Sequence, residues 1–214
     1  MKKWEDYLYP NGVLKNKKGI KDFDLLLAYE FGISQINNLQ LLYNPIKSNI
    51  CFDLLKEMHN QLFCDIYDWA GKLRDVEIRK SVDEPFFTST KLIKKKAEEI
   101  FYNLKRSNYF LGNSKEQFII HSAELLAKLN DLHPFREGNG RTNKLFLSYI
   151  AIINGYQFNY NEIEQSLWVK ASATAHTLGD ISGLINLLKV SITPVNDVVY
   201  IDKFRKALSI PSNI

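Results

Sequence analysis

The sequence predicts an all-α fold that carries a single β-hairpin. Apolar residues recur at helical spacing through most of the 214 residues, and only between Leu73 and Thr88 does the period change to the alternation of a strand. No internal repeat, low-complexity tract or linker interrupts the chain. The composition, 45% hydrophobic and 24% charged, is that of an ordinary globular protein with enough apolar mass for a core. We therefore expect one compact unit.

Eight helical segments follow from the periodicity and from boundary residues. Asn44-Pro45 ends the first one, because the residue before a proline disfavours the helical region. Ser114 and Gln117 have the form of a capping box and start another. The fifth segment is apolar nearly all round, which indicates a buried, central helix. The expected helices are 21–42, 49–67, 89–106, 114–131, 145–153, 161–176, 180–190 and 200–208. We divide the chain into an arm with its helix (1–48), a core (49–192) and a tail packed on that core (193–214).

The exception to the helical pattern is the stretch from Leu73 to Thr88. Val76 and Ile78 alternate with polar residues, and an Asp-Glu-Pro turn follows before Phe86 begins a return. A single hairpin is marginal in water, so it must pack on helices, and its outer edge would stay unpaired.

Charge and cysteine content narrow the function classes. The net charge of +4 tolerates an anionic ligand but is smaller than a nucleic-acid binder needs, and the Lys94–Lys96 run is expected to be a solvated helix face.

Cys51 and Cys64 lie too far apart on one predicted helix for a disulfide. With no Cys-x-x-Cys pair and four histidines, a structural zinc site has no support. The N-terminus lacks the apolar run of a signal peptide, so we expect a cytoplasmic protein without membrane spans.

The chemistry is concentrated in the stretch from His133 to Lys144. It holds an imidazole, a carboxylate, two glycines around an amide, and two cations within 12 residues, between two predicted helices. Gly138 and Gly140 allow backbone N–H groups to approach phosphate oxygens closely, and the start of a helix favours an anion.

The charged members fit the same purpose. Arg141 and Lys144 are three apart, so on a first helical turn they could reach neighbouring phosphates. Glu137 is a hard oxygen donor suited to Mg²⁺ that is shared with a polyphosphate. His133 could serve as a general base, because the usual pKa of an imidazole lies near operating pH. These residue types together predict a site for phosphoryl or nucleotidyl transfer.

The same stretch resembles the signature of the Fic (filamentation induced by cAMP) family, His-Pro-Phe-x-(Asp/Glu)-Gly-Asn-Gly-Arg-x-x-Arg. It complies at 11 of the 12 positions. The resemblance extends roughly from Asn49 to Val190 and includes Trp69–Arg74 and Gly179-Asp180. It implies a helical Fic fold whose hairpin is a flap over the active site.

The activity that the resemblance implies is protein adenylylation, in which AMP passes from ATP to a Ser, Thr or Tyr hydroxyl of a target protein and pyrophosphate leaves. By position, His133 is then the catalytic base and Glu137 the ligand of Mg²⁺. Phe135 is a core anchor without a chemical role. The phosphates are expected to bind at Gly138, Asn139, Gly140, Arg141 and Lys144.

The hairpin gains a role from the resemblance as well. In the family it is a flap that pairs with an extended segment of the target, and we assign that docking to Val76, Ile78 and Arg79. Ile78-Arg79-Lys80-Ser81 is similar to the family's Ile-x-Lys-Gly, which places Lys80 and Ser81 near the nucleotide. Ser81 stands where the family has glycine.

Two departures from the family affect the prediction. Lys144 replaces an arginine that helps to position the γ-phosphate, so the charge is kept but the bidentate fork is lost and weaker activity is expected. The self-inhibiting motif (Ser/Thr)-x-x-x-Glu-(Gly/Asn) is absent from the sequence. The chain therefore resembles the toxin-like members that a separate small antitoxin protein controls.

Three other interpretations stay open on the sequence. The enzyme could transfer a different group to a hydroxyl, as a kinase or a phosphocholine transferase, although kinase-like relatives replace the second loop glycine by lysine and Gly140 is intact here. A non-catalytic nucleotide-binding module is possible, but binding alone needs no base such as His133. A basic helical nucleic-acid binder rests on Lys94–Lys96 alone.

Overall fold

All eight predicted helices are present in the computed structural model, which describes residues 4–211. The largest shift of a boundary is at α5, which begins inside the central stretch. The helices are α1 (Phe23–Tyr43), α2 (Phe52–Phe63), α3 (Ile93–Arg106), α4 (Lys115–Leu132), α5 (Asn139–Ile153), α6 (Gln165–Leu178), α7 (Ser182–Ser191) and α8 (Val198–Ala207). Short 3-10 helices cover Trp4–Tyr7, Asn108–Phe110 and Tyr160–Glu162.

Helix α5 lies at the centre of the fold, as its sequence predicts. Every residue from Leu145 to Ile153 is buried, at most 3% exposed. Helices α2, α4 and α8 pack around it. Phe204 of α8 is fully buried and meets Tyr149 edge to face at a centroid distance of 4.8 Å. The start of α5 is therefore held from below by the core.

The small antiparallel strand pair of the fold lies elsewhere than predicted. Strands β1 (Tyr156–Phe158) and β2 (Ile192–Pro194) pair with Gln157 opposite Thr193. The segment from Leu73 to Thr88 doubles back, but it contains no strand residues, so the hairpin predicted there is wrong as secondary structure.

Arg74 explains why the doubled-back segment forms no ladder. Its guanidinium donates hydrogen bonds to the carbonyl oxygens of Val76 and Thr88, one on each arm. These oxygens accept hydrogen bonds from Arg74 instead of from the opposite arm. A single backbone hydrogen bond, from the Phe87 N–H to the Ile78 carbonyl at 3.0 Å, joins the two arms. The predicted alternation still holds for burial, since Val76 and Ile78 are buried while Glu77 and Arg79 are exposed. We call the segment 73–88 the flap.

Helix α1 buries a face that apolar periodicity does not identify. The apolar side chain of Leu25 is 57% exposed. The buried residues of α1 are Leu26, Glu30, Ser34, Asn38 and Leu41, so polar side chains fill the middle of the inner face.

None of the helices in the described part of the chain is long and apolar enough to cross a bilayer.

Candidate active site

The central stretch forms a tight connection between α4 and α5. His133 is the C-cap of α4 with a φ of 41°, and Gly138 is the N-cap of α5 with a φ of 80°, so both ends of the connection are in the left-handed region. Asn139, Gly140 and Arg141 follow in the first turn of α5, where backbone N–H groups have no partner within a helix. The predicted anion site thus lies at the start of the central helix.

The Asn139 side chain closes this connection from inside. Its amide accepts a hydrogen bond from the Phe135 N–H and donates one to the Phe135 carbonyl, both at 2.9 Å. Phe135 itself is fully buried. The side chain of Asn139 therefore has a structural function, and only its backbone N–H is left for a phosphate.

His59 of α2 supports the connection and was missed in the sequence. Its Nδ1 accepts a hydrogen bond from the Gly71 N–H at 2.8 Å, so the ring proton is on Nε2, which donates to the Glu137 carbonyl at 2.9 Å. The ring stacks on Phe135 at 3.9 Å. Burial lowers the pKa of His59 to about 4, so the ring is neutral at pH 7. The one sequence feature that could have indicated this function is the position of His59 on the buried, otherwise apolar face of α2.

The ring of Phe63, also on α2, explains why position 138 must be glycine. A Cβ atom added to Gly138 would lie 2.5 Å from Cε2 and Cζ of the Phe63 ring. Such a contact is far inside van der Waals distance, so the connection can pass over α2 only because position 138 has no side chain. Gly140, by contrast, faces open space.

The imidazole of His133 has the state that a general base requires. Its Nδ1 lies 3.2 Å from the Asn130 carbonyl, which places the proton on Nδ1 and leaves the lone pair on Nε2. The pKa of His133 is lowered to about 3, mainly by burial and further by the positive charges of Arg74 and Lys80. His133 is therefore neutral at pH 7, and Lys80 of the flap lies close enough to affect its pKa.

Phe87 and His176 complete the surroundings of His133. Phe87 stacks on His133 with a centroid distance of 3.7 Å and also contacts His176, at 4.6 Å. Nδ1 of His176 lies 3.1 Å from Oδ1 of Asp131, and its Nε2 lies 3.2 Å from the carbonyl oxygen of Pro85. The end of α6 thus holds the returning arm of the flap against His133. This contact joins distant parts of the chain, and no local pattern predicts it.

Glu137 is placed beside the first turn of α5 with its carboxylate accessible. The side chain is 48% exposed, and Oε1 accepts a hydrogen bond from the Gly138 N–H at 2.8 Å. The same oxygen is 3.8 Å from Nη2 of Arg141. An exposed hard oxygen next to an anion site fits a divalent ion shared with a polyphosphate.

The two cations of the signature, Arg141 and Lys144, have different partners. Arg141 pairs with Glu30 of α1 and lies 4.7 Å over the Phe63 ring. Lys144 is half-buried, and its Nζ is 5.2 Å from the ring centroids of both Tyr160 and Trp168. Burial and the charge of Arg141 lower the pKa of Lys144 to about 8. The sequence predicted the proximity of the two cations but not these partners.

The predicted flap residues divide into two groups. Val76 and Ile78 are buried in a small cluster with Tyr7 and Phe87, so their side chains are not available to a target. Arg79 is exposed and stacks on Phe86 at 4.8 Å, and Lys80 and Ser81 are exposed at the tip.

Comparison with known proteins gives one consistent family. The sequence model of the Fic/DOC family matches residues 49–151. The chain is 30% identical over 181 residues to "Probable protein adenylyltransferase Fic" of Escherichia coli (strain K12), an alignment that covers 84% of this chain and 88% of that protein. It is 34% identical over 165 residues to "Protein adenylyltransferase VbhT" of Bartonella schoenbuchensis, covering 77% of this chain but 34% of that longer protein.

Solved structures agree with the sequence relatives. The BepC effector of Bartonella tribocorum, crystallised with bound AMPPNP, superposes with a TM-score of 0.85 at 26% identity and covers 89% of this chain and 97% of its own. The type IV secretion system effector BepA superposes with a TM-score of 0.82 at 28% identity over 89% of this chain and 69% of its own. The fold is therefore shared with a protein that was crystallised with a bound nucleotide.

Proposed function

Because the chain belongs to the Fic/DOC family, we propose that it is a protein adenylyltransferase that moves AMP from ATP to a Ser, Thr or Tyr hydroxyl of a target protein. The observation that supports this most directly is the pairing of a neutral His133 with the amide-rich start of α5. A base next to an anion site is more than nucleotide binding requires. Both enzymatic relatives described above are named as adenylyltransferases.

In the proposed reaction Nε2 of His133 takes the proton of the target hydroxyl. The hydroxyl oxygen then attacks the α-phosphorus of ATP, the bond from that phosphorus to the bridging oxygen breaks, and pyrophosphate leaves. The bound polyphosphate raises the low pKa of His133 towards operating pH, because a nearby anion favours the imidazolium. The base therefore gains strength when substrate is present.

The phosphates are proposed to lie against the first turn of α5. The N–H groups that follow Gly138, those of Asn139, Gly140 and Arg141, point out of the helix start, and the helix dipole adds to the attraction. Arg141 and Lys144 supply positive charge, with Lys80 and Ser81 on the flap side. Glu137 would hold a Mg²⁺ ion shared with the polyphosphate, and such an ion would neutralise charge on the leaving pyrophosphate.

Target docking is proposed at the outer edge of the flap. Within residues 4–211, the N–H groups of 76–80 donate no backbone hydrogen bond, which leaves an edge for an added strand. Since Val76 and Ile78 are buried, the target would meet their backbone, whereas Arg79 can offer its side chain. Recognition by backbone pairing fits a target whose segment is extended.

A separate antitoxin-like protein is the proposed regulator. The sequence lacks the self-inhibiting motif, and α1 presents an apolar outer face made of Leu25, Ile36, Leu39 and Tyr43. Each of these side chains is between 54% and 72% exposed, which is unusual for one continuous helix face. Purified protein that becomes active only after proteolysis of its own terminal segment would contradict this proposal. We also propose a cytoplasmic location and the division into 1–48, 49–192 and 193–214.

The test of the activity uses ATP labelled on either the α- or the γ-phosphate. The protein and its His133→Ala variant are incubated with cell lysate and Mg²⁺, and His121→Ala serves as the matched control, since His121 contacts Asn113 away from the site. We expect α-label on a protein band with the wild type and the control, and none with His133→Ala. Transfer of γ-label would indicate a kinase, and no transfer of either label would indicate a binding module.

A further inference from the structure

A buried carboxylate on α1 contacts the signature arginine, and no residue of the signature accounts for it. Glu30 is 6% exposed, and the other acidic residue of α1 is Asp24, which is exposed at the first turn. Oε1 of Glu30 accepts a hydrogen bond from Nη2 of Arg141, and Oε2 accepts one from the hydroxyl of Tyr67. Arg141 is thus linked to two elements outside the central stretch.

Ser34 extends the contact by one helical turn. Its hydroxyl donates to the Phe31 carbonyl at 3.1 Å, which leaves the oxygen free to accept a hydrogen bond from Nη1 of Arg141 at 3.2 Å. Glu30 and Ser34 are four residues apart, so both face the same side of α1. Together they take one edge of the guanidinium, while the Phe63 ring lies against its face at 4.7 Å.

This arrangement fixes Arg141 before any ligand arrives. If Arg141 swung away, a carboxylate would remain buried without its cation, which is strongly unfavourable. Tyr67 holds the other carboxylate oxygen, so Glu30 cannot follow. The Arg141 side chain is nevertheless 30% exposed, so part of the guanidinium faces outward at the start of α5.

We propose that Glu30 is a positioning residue for AMP transfer, which holds Arg141 so that its outward N–H groups meet the part of ATP that leaves as pyrophosphate. This inference rests on the proposed function of the site. It predicts that Glu30 matters for ligands with phosphates beyond the first one and not for AMP. An alternative effect of Glu30, partial neutralisation of Arg141, has the opposite sign, because removing the carboxylate would then increase affinity most for the most highly charged ligand.

The experiment compares the binding of ATP, pyrophosphate and AMP by calorimetry. We expect Glu30→Gln to weaken ATP and pyrophosphate about tenfold, which corresponds to ~1.4 kcal/mol, and to leave AMP within about twofold. Asp24→Asn is the matched control, because it removes the same charge from the same helix at an exposed position, and it should change none of the three affinities. With ATP as substrate, kcat for AMP transfer should fall as well.

A second variant separates positioning from a failure to fold. Tyr67→Phe keeps the charge of Glu30 and removes one of its two hydrogen bonds, so it should lower the ratio of ATP to AMP affinity in the same direction by a smaller factor. In an Arg141→Gln background, Glu30→Gln should have no further effect on that ratio.

The outcomes distinguish this inference from the proposed function. If Glu30→Gln keeps or raises the preference of the protein for ATP over AMP, Glu30 does not position Arg141, while the transferase itself stands. If the wild type neither binds ATP nor transfers AMP, both are overturned.

Discussion

Gly138 and Gly140 lie two residues apart in the same signature, yet substitution by alanine should have different effects at the two positions. At Gly138 it should lower the stability of the fold, and at Gly140 it should lower the affinity for ATP. At Gly138 the φ of 80° costs an L-residue ~1–2 kcal/mol. The new Cβ would also lie 2.5 Å from the fully buried Phe63 ring, and forced overpacking of a core costs ~1–3 kcal/mol. Gly138→Ala should therefore lower the free energy of unfolding by ~2–5 kcal/mol.

Gly140 lies in the first turn of α5 and a Cβ there would meet nothing within 4 Å. Alanine is favoured over glycine in a helix by up to ~1 kcal/mol, so Gly140→Ala should leave the fold as stable as the wild type or slightly more so. Its Cβ would instead occupy the space in which we propose that phosphate oxygens approach the backbone, and we expect ATP affinity to fall about tenfold, ~1.4 kcal/mol.

Urea unfolding gives the stabilities, and calorimetry gives the affinities. Combining Gly138→Ala with Phe63→Leu should recover the part of the loss that comes from the ring, whereas the part from the left-handed backbone should remain. The reasoning fails if Gly138→Ala is as stable as Gly140→Ala, or if Gly140→Ala binds ATP normally.

Two further predictions depend on pKa values. Lys144 is charged below its pKa of about 8, so the affinity for ATP should be highest below pH 8 and should decline as the pH rises through this value. The variant Lys144→Arg should remove this decline and raise the rate of AMP transfer. A lower rate in the variant would contradict our view of this position. His59 has a folded pKa of about 4 against 6.5 unfolded, so its share of stability is complete above pH 6.5 and is lost as pH falls towards 4, by ~3 kcal/mol. His59→Gln should therefore show a shallower loss of unfolding free energy between pH 7 and pH 4.5, and an unchanged slope would exclude His59 as its source.

Much of the fold could be predicted because the information is local. Helical periodicity found each helix, and the capping box at Ser114 fixed the start of α4 with both of its hydrogen bonds present. The apolar run after the signature identified the buried central helix correctly. These features depend on residues within a few positions of each other, which a single sequence displays.

The flap shows where local information fails. The alternation of Val76 and Ile78 correctly predicted which side chains are buried, but a strand also needs free carbonyl groups on both arms. Arg74 engages two of them, and its third acceptor is the carbonyl of His133, 59 residues away. Arg74 belongs to the segment itself, but strand propensity cannot reveal that its guanidinium will compete with the backbone for these carbonyl groups.

The supporting residues of the site were invisible for the same reason. Glu30 reads in the sequence as a surface charge and His59 as one more residue of an amphipathic helix, since each acquires its function from a partner more than 70 positions away. The signature supplied the residues that we propose to face the ligand. The residues that hold them come from α1 and α2, which carry no signature.

Lys144, the single departure from the signature, has an explanation in its surroundings. Ammonium and guanidinium groups are both attracted by an aromatic face, so a cation in aromatic surroundings needs no bidentate partner. Tyr160 and Trp168 offer two such faces at the same distance of 5.2 Å, so a lysine is held here without a hydrogen-bonding fork. The same apolar rings make burial the main cause of its lowered pKa. What keeps Lys144 in place therefore also brings the loss of its charge close to physiological pH, which an arginine at this position would avoid.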